Sequence, residues 1–412
     1  MKRTIFTLAI LTLTMTTNCS SAQEQEQFYD LSYIPIHSES GNSYTYFDLS
    51  TEAKVKGIKN YDWADYFHDG IAIVADKLED NDYKFYFINS EFKPISNEKY
   101  DRVTVFNNGY AWAAQINGPI TAIRQDGTTA FTLPDAEKAY SFNDNVAVFR
   151  SRAGYGLVNT SGDVLIKPGQ FEKLGPLGYN KMIKAAININ DGPLKYGIIR
   201  YDGTEIIPFE FDDIKFSATT ARNKAFPVEN NWNWGVVNIK NEETIAPIYN
   251  EIRPQNNGNY IGIRHDYRRD FHEVTYISNT GAELIHPSFR DIGDFTYGNH
   301  TCARREHEDL YGIIDETGKI IISPRFDHIY DFDDNELAIF ERDEKYGVLD
   351  LNGNIIIPNK YDSLDYIGKG LYMASLDRNY GLINSNGKTI INFSGDYSPV
   401  EAQDELYICY NY

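Results

Sequence analysis

An all-β fold of about ten tandem antiparallel units is predicted by three features of this 412-residue chain. A strand-like segment that opens on an aromatic residue, followed by glycine in the strong copies, returns about every 37 residues, a period typical of repeat architectures. A turn-forming Asp/Asn-x-x-Gly stretch and a return run of the Ile-Ile-x-Pro kind follow most of the strong copies. Aromatic residues make up 14 % of the chain against only 4 Met, a composition of strands.

The rest of the composition sets limits. Hydrophobic residues at 42 % and charged residues at 24 % describe a globular chain. The length allows a large core, in several domains or in one repeat array. A formal charge of −20 argues against nucleic-acid binding, which needs a basic surface. Three Cys exclude a disulfide scaffold.

The N-terminus reads as an export signal. Lys2 and Arg3 precede an apolar run from Ile5 to Met15, too short to span a bilayer. Ser20 and Ala22 suit cleavage before Gln23, which makes 1–22 a secretory signal peptide. In the alternative, Cys19 becomes the lipidated first residue, although Thr16-Thr17-Asn18 before it is a poor lipobox. Residues 23–43 then form a polar N-terminal tether ahead of a repeat array over 44–412. No later segment is apolar enough for a transmembrane helix.

Within the array, Tyr311-Gly312-Ile313-Ile314-Asp315, Tyr346-Gly347-Val348-Leu349-Asp350 and Tyr380-Gly381-Leu382-Ile383-Asn384 are successive copies. Tyr155-Gly156, Tyr196-Gly197 and Trp234-Gly235 are three more, and Tyr44-Thr45, Phe85-Tyr86, Ile120-Thr121 and Val274-Thr275 lack the glycine. After each strong strand a glycine such as Gly353 supplies the positive φ of a tight turn. Pro358 ends the return strand by withholding a donor. An aromatic and a polar residue follow, as in Tyr361-Asp362, Phe326-Asp327, Phe211-Asp212 and Tyr61-Asp62, where the aromatic packs inward and the acid caps a turn. A fourth apolar stretch, such as Leu337-Ala338-Ile339-Phe340, completes a meander of about four strands. No sustained helical stripe appears outside the signal.

These motifs resemble the bacterial WG-repeat family, also called KWG repeats. The resemblance covers nearly all of the array, strongly from Tyr155 to Gly387 and weakly in the first three units, and only Trp234 carries the Trp of the family name. It implies export, β-rich repeats and interaction rather than a reaction.

The array starts part-way through a unit and ends on an isolated apolar stretch within 405–412. Read as a closing strand, that stretch completes the N-terminal unit and favours a propeller-like ring. Read as a capping strand, it leaves an open β-solenoid or superhelix.

The aromatic–Gly pairs read as packing elements and the Asp/Asn-x-x-Gly stretches as turns, since Asp315-Glu316-Thr317-Gly318 lacks the oxygen density of a calcium loop. Acidic runs at Glu79–Asp82 and Asp331–Glu336 read as solvated loops. One window stands out: between 264 and 305 the charges balance, and six of the eight His fall between 265 and 328. Arg264, His265, Tyr267, Arg268 and Arg269 lie in one extended loop, and Arg304 and Arg305 lie in the equivalent loop one unit later. Side by side they form a candidate ligand-binding patch for an anionic or protein partner. His300, Cys302 and His307 have zinc-compatible side chains but match no ligand spacing. No nucleophile elbow, Walker loop or dinucleotide fingerprint occurs, and Tyr276 and Tyr311 stand where a zinc-protease helix needs its second His. Cys302 and Cys409 lie three units apart, too far for a disulfide.

The expectation is an exported, non-enzymatic β-repeat scaffold with no cofactor, acting in the periplasm, at the outer membrane or outside the cell. It binds a protein partner through loops on one face, with glycan or cell-wall binding as the alternative.

Overall fold

The computed structural model describes residues 30–393 apart from 38–42, 80–81, 191, 267–270, 286–288, 296–299 and 306–308. One unit explains the rest. In Lys345–Asp350 and Ile355–Tyr361, Val348 faces Ile357 but Tyr346 faces Tyr361, so Pro358, Asn359 and Lys360 bulge out of the ladder. The proline has no N–H to lose, which makes it fit a bulge. The bulge presses the backbone onto Gly347, where a Cβ would lie 2.6 Å from the Ile357 carbonyl oxygen and 2.8 Å from Asn359 N. Gly235 meets the bulge of Ile245–Tyr249 in the same way. The glycine beside the aromatic is therefore a requirement for close backbone approach.

Two further strands complete the sheet. His328–Phe332 pairs with Leu337–Arg342, which pairs with Lys345–Asp350, giving a four-stranded antiparallel meander in sequence order. The structural unit thus starts just after the aromatic–acid pair, two strands ahead of the aromatic–Gly dipeptide. Ten such sheets form the blades of a β-propeller. Blade 1 comprises Tyr33–His37, Tyr44–Asp48 and Ala53–Lys54, and blade 2 comprises Trp63–His68, Ile71–Lys77 and Tyr83–Asn89. Blades 3 to 10 are four-stranded and begin at Arg102, Ala136, Lys173, Asp213, Glu251, Phe289, His328 and Ser363. All ten predicted aromatic positions fall in the third strand of a blade or, in blade 1, in its equivalent Tyr44–Asp48.

Ten apolar clusters match the ten interfaces between neighbouring blades. The cluster of Ile34, Ile36 and Phe47 with Met373, Leu382 and Ile391 joins blade 1 to blade 10 and closes the ring. Lys369–Asp30 at 3.2 Å bridges the same junction. Closure therefore rests on face-to-face packing of two blades. The proposed closing strand at 405–412 and the signal at 1–22 lie outside the described residues. The segment 23–43, expected as a tether, contains the strand Tyr33–His37, which pairs with Tyr44–Asp48 and holds the place a returning strand would take. Ile34 and Ile36 are buried there, and that apolar content makes the segment part of the core. One six-residue helix, Ala218–Asn223, interrupts blade 6; Ser217 caps it reciprocally with Thr220.

The polar residue after the aromatic joins one blade to the next. A side-chain oxygen of Asp62, Asp101, Asp212, Asn250 or Asp327 accepts the N–H of Lys77, Ile116, Asn231, His265 or Asp343, at 2.7–2.8 Å. Each donor lies in the hairpin between strands 2 and 3 of the blade that follows. Lys195 reaches Asp212 at 2.7 Å, and this ammonium with the Asn231 N–H holds the Asp212 carboxyl below the usual range. Burial raises the Asp101 carboxyl, but Lys84 and the Ile116 N–H outweigh it and the net shift is downward.

Gly347→Ala should lower stability by about 1–3 kcal/mol in urea unfolding, since the added methyl meets backbone. Gly203→Asn, at a turn glycine with φ +85° and open space around it, should lower it by less than about 1 kcal/mol. Equal losses would remove the close-approach explanation. Because the carboxyls of Asp101 and Asp212 are depressed, their contribution is complete above the unfolded value of about 3.9 and is lost as pH falls through the folded value. The melting temperature should drop below about pH 4, with a shallower drop in Asp212→Asn.

Candidate functional site

The meander sets two faces apart. Strand 1 is innermost: the strands 1 of blades 7 and 8 touch through Arg253, whose Nη2 donates to the Ile292 carbonyl at 2.6 Å. Strand 4 is outermost and the most exposed. Hairpins 1–2 and 3–4 lie on one face; hairpins 2–3 and the links between blades lie on the other.

The first face is sealed by hydrogen bonds that pass from loop to loop. Asp69 accepts Gly109 N at 2.9 Å, Asn108 accepts Asn145 N at 2.9 Å, and Asp144 accepts Lys181 N at 2.7 Å. Farther round, Gln255 accepts Phe295 N at 2.7 Å and Asp331 accepts Asp294 N at 3.0 Å. Arg253 is buried and pairs with Asp294 at 3.2 Å. The acidic run Asp331–Glu336, expected as a solvated loop, belongs to this seal. Asp333 accepts Asn335 N and Leu337 N, and also the Tyr372 hydroxyl of the next blade at 2.6 Å. Burial pushes the Asp333 carboxyl up and pushes the Tyr372 phenol up as well. The run is acidic because its oxygens are the acceptors that join two blades. The Asp/Asn-x-x-Gly turns on this face are also closed locally, for Asp315 accepts Thr317 N at 2.9 Å, Lys319 N at 3.1 Å and the Thr317 hydroxyl at 2.6 Å.

The other face is built differently. Every large apolar side chain that is strongly exposed among the described residues lies either on an outer strand 4 or at a 2–3 hairpin. The hairpin group is Leu78, Tyr83, Ile116, Ile189, Trp232, Leu310 and Tyr380, drawn from six blades. Trp232 is 86 % exposed at the tip between Ala225–Asn230 and Asn233–Asn238. Asn231 and Trp232 have φ of 50° and 66°, the backbone of a two-residue hairpin turn that favours Asn and Gly. A left-handed Trp costs roughly 1–2 kcal/mol relative to Gly and gains no burial here. The 2–3 hairpins of blades 9 and 10 take the same backbone at Glu344 and Arg378, so the turn is shared and the exposed indole is what sets this tip apart.

Beneath the tips, the predicted packing aromatics are half-buried and covered by cations. Lys184 lies 4.5 Å from the Tyr196 ring, Lys215 lies 5.1 Å from the Trp234 ring, and Arg150 lies 5.9 Å from the Tyr155 ring. Burial lowers the Lys215 ammonium's pKa, and Glu251 partly opposes this.

The 264–305 window runs through blades 7 and 8, and Asp294 within it belongs to the opposite face. Its parts do different work. Arg264 pairs with Glu273 of its own blade at 3.5 Å and covers the Tyr249 ring of the preceding blade at 4.8 Å, so it is engaged within the propeller. Arg304 lies 5.3 Å over the Tyr311 ring, whose hydroxyl donates to Asp291 at 2.8 Å. His328 stacks against Tyr311 at 4.7 Å and against Tyr330 at 4.6 Å, and its burial lowers its pKa, keeping it neutral at pH 7. His265 gives its backbone N–H to the link residue Asn250 at 2.7 Å. Arg305 pairs through its backbone with Phe289. Tyr267, Arg268 and Arg269 lie outside the described residues, as do Cys19, His286, His307 and Cys409. Cys302 points into the cluster between blades 8 and 9 and is fully buried. Among the described residues no three His, Cys, Asp or Glu side chains converge to hold a metal ion, and no helix is long and apolar enough to cross a membrane.

The exposed tips were not part of the sequence expectation. Their signal was present as an apolar residue inside polar hairpins, as in Gln115-Ile116-Asn117 and Asn231-Trp232-Asn233. Such residues differ from blade to blade, so they carry no period.

No curated protein matches the chain. Among solved structures it overlaps a eukaryotic initiation factor at 13 % identity and TM-score 0.47, over 66 % of this chain and 80 % of that one. It overlaps the tricorn protease at 9 % identity and TM-score 0.32, over 89 % and 47 %. BamB from Moraxella catarrhalis overlaps at 9 % identity and TM-score 0.26, over 69 % and 80 %. Each overlap stays below a TM-score of 0.5, and the blade arrangement stands on its own register and packing. The model of the WG containing repeat matches residues 87–118, 155–191, 196–217, 234–268, 311–346 and 346–379. These segments run through the blades from the second to the tenth, five of the six beginning on the aromatic of an aromatic–Gly strand, and the chain belongs to the WG-repeat family.

Proposed function

We propose that this propeller is a non-enzymatic scaffold that captures a protein partner on the face of its 2–3 hairpins. One observation carries the reading: exposed apolar tips gather on that face, while the opposite face is closed by loop-to-loop hydrogen bonds. Apolar side chains at the centre of a contact with polar residues around them are what interfaces between proteins use, and Trp contributes most per residue. The reading takes in Tyr267, Arg268 and Arg269, which stand in sequence between the strands Tyr260–Asp266 and Phe271–Ile277, with Arg264 and Arg304 over the rings beside those strands. Export by the 1–22 signal, with Cys19 as the alternative lipid anchor, puts the partner in the periplasm, at the outer membrane or outside the cell; the basic start and short apolar run support this.

The triple variant Ile116→Ser, Ile189→Ser, Trp232→Ser should lose a partner that the wild-type chain captures from extracts of its own cells. The variant Leu284→Ser, Ile355→Ser, on the outer strands, should keep it. Both should melt within a few degrees of wild type, since the changed side chains are exposed. Retention by the hairpin variant would overturn the reading.

A further inference from the structure

The chain carries one more second strand than it has third strands to receive. A second strand is in place in each of the ten blades. A further copy follows blade 10 in the sequence. Asp404-Glu405-Leu406-Tyr407-Ile408-Cys409 matches Asn335-Glu336-Leu337-Ala338-Ile339-Phe340, and Leu406-Tyr407-Ile408 matches Leu371-Tyr372-Met373. Ahead of it, Tyr397-Ser398-Pro399-Val400 copies the aromatic, the polar residue and the first-strand opening of Tyr361-Asp362-Ser363-Leu364 and Tyr249-Asn250-Glu251-Ile252. Residues 397–410 therefore have the sequence of the first two strands of a blade, and they lie outside the described residues.

Blade 1 is the place in the ring that such a half-blade fits. Among the described residues it alone has no innermost strand. Its second strand, Tyr33–His37, pairs on one side with Tyr44–Asp48. Leu49 N donates to the Ser32 carbonyl at 3.1 Å, and the alternation of an antiparallel pair then turns the backbone of Tyr33, Pro35 and His37 to the other side. No strand among the described residues pairs with that inner edge, and Pro35 leaves it one donor short, as edge strands do. The half-blade can also reach it. From Ile391 on the outer strand of blade 10 to Val400 is two residues longer than the same path from Ile357 to Leu364 between blades 9 and 10.

We infer that the edge of Tyr44–Asp48 is shared by two alternative second strands, Tyr33–His37 from the N-terminal side and Leu406–Tyr410 from the C-terminal side. In the second arrangement residues 397–410 supply the first two strands of blade 1, which becomes four-stranded like blades 3 to 10. The register follows from blade 9, where Leu337 faces Asp350 and Phe340 faces Gly347. Leu406 then faces Asp48, and Cys409 faces Thr45, the place that Ile36 holds in the first arrangement. Ile34 and Ile36 leave the cluster that closes the ring. Residues 23–43 become a tether of up to about 70 Å when extended. The exchange converts a piece of the core into reach between the ring and the segment 1–22. It does not depend on the partner-binding reading.

Disulfide trapping in the full chain carrying Cys19→Ser tests the inference. Thr45→Cys puts a thiol opposite Cys409 in the second arrangement and opposite Ile36 in the first. Residues facing each other across antiparallel strands have Cα atoms about 4.5–5.5 Å apart, within the reach of a disulfide. Cys302 is fully buried between blades 8 and 9, away from the exchange. Under mild oxidation, Thr45→Cys should join position 45 to Cys409 within one chain, as mapped by mass spectrometry of a non-reduced digest. Thr45→Cys combined with Ile36→Cys and Cys409→Ser should join positions 36 and 45. Asp48→Cys, three residues out of register, should not join to Cys409. Chymotrypsin should cut at Tyr33 at least about tenfold faster in the first bridged chain than in the second, because cleavage follows the population in which that strand is free. Absence of either bridge, equal bridging from Asp48→Cys, or equal cleavage at Tyr33 in the two bridged chains would overturn the inference. So would a bridge to Cys409 of another chain, which assigns the half-blade to a second copy.

Discussion

In the regular blades, a bulged backbone lies so close to the third strand that the residue beneath it can have no side chain. Ile357 and Asn359 crowd Gly347 to within 2.6–2.8 Å of where a Cβ would stand. That contact lets the outer strand bend, and the bend brings the aromatic at its end, Tyr361, opposite Tyr346. Asp362 then follows at the start of the next blade, where its N–H bonds Ser375. One tight approach therefore sets the shape of the blade and the point where the chain leaves it. Ten blades placed this way leave ten apolar interfaces, and the last of them joins the two ends of the chain.

The proposed contact surface gathers where that constraint is relaxed. Hairpin tips bear no load from the bulge, so they tolerate Ile116, Ile189 and a left-handed Trp232. Blades 1 and 2 give up the glycine, lengthen the bulge and acquire a cavity with paired lysines. The opposite face shows the reverse. Its Asp and Asn oxygens are taken up by neighbouring loops, so an acidic run such as Asp331–Glu336 is structural despite its appearance.

The candidate patch shows why single residues are harder to read than repeats. Arg264, Arg304 and the tip residues Tyr267, Arg268 and Arg269 belong to one charge-balanced window. Yet Arg264 lies over the Tyr249 ring of the preceding blade, and Arg304 over the Tyr311 ring of the strand it pairs with. Whether an arginine serves the blade or a partner depends on that neighbour, and no spacing along the chain reveals it.

Local chemistry determined the strand class, the ten-fold period, the turns and the link acids, because each arises from residues within one unit. The glycine beside the aromatic was legible as a site of close approach, since only a missing side chain permits one. Tertiary structure alone decided that the array closes, that Tyr33–His37 is a strand of the core, and which hairpin tips share a face. It also decided that the weak copies at Thr45 and Tyr86 carry longer bulges with a cavity between them. Those outcomes depend on packing between units about 37 residues or more apart, and for the ring closure between the two ends of the chain, where sequence proximity carries no information.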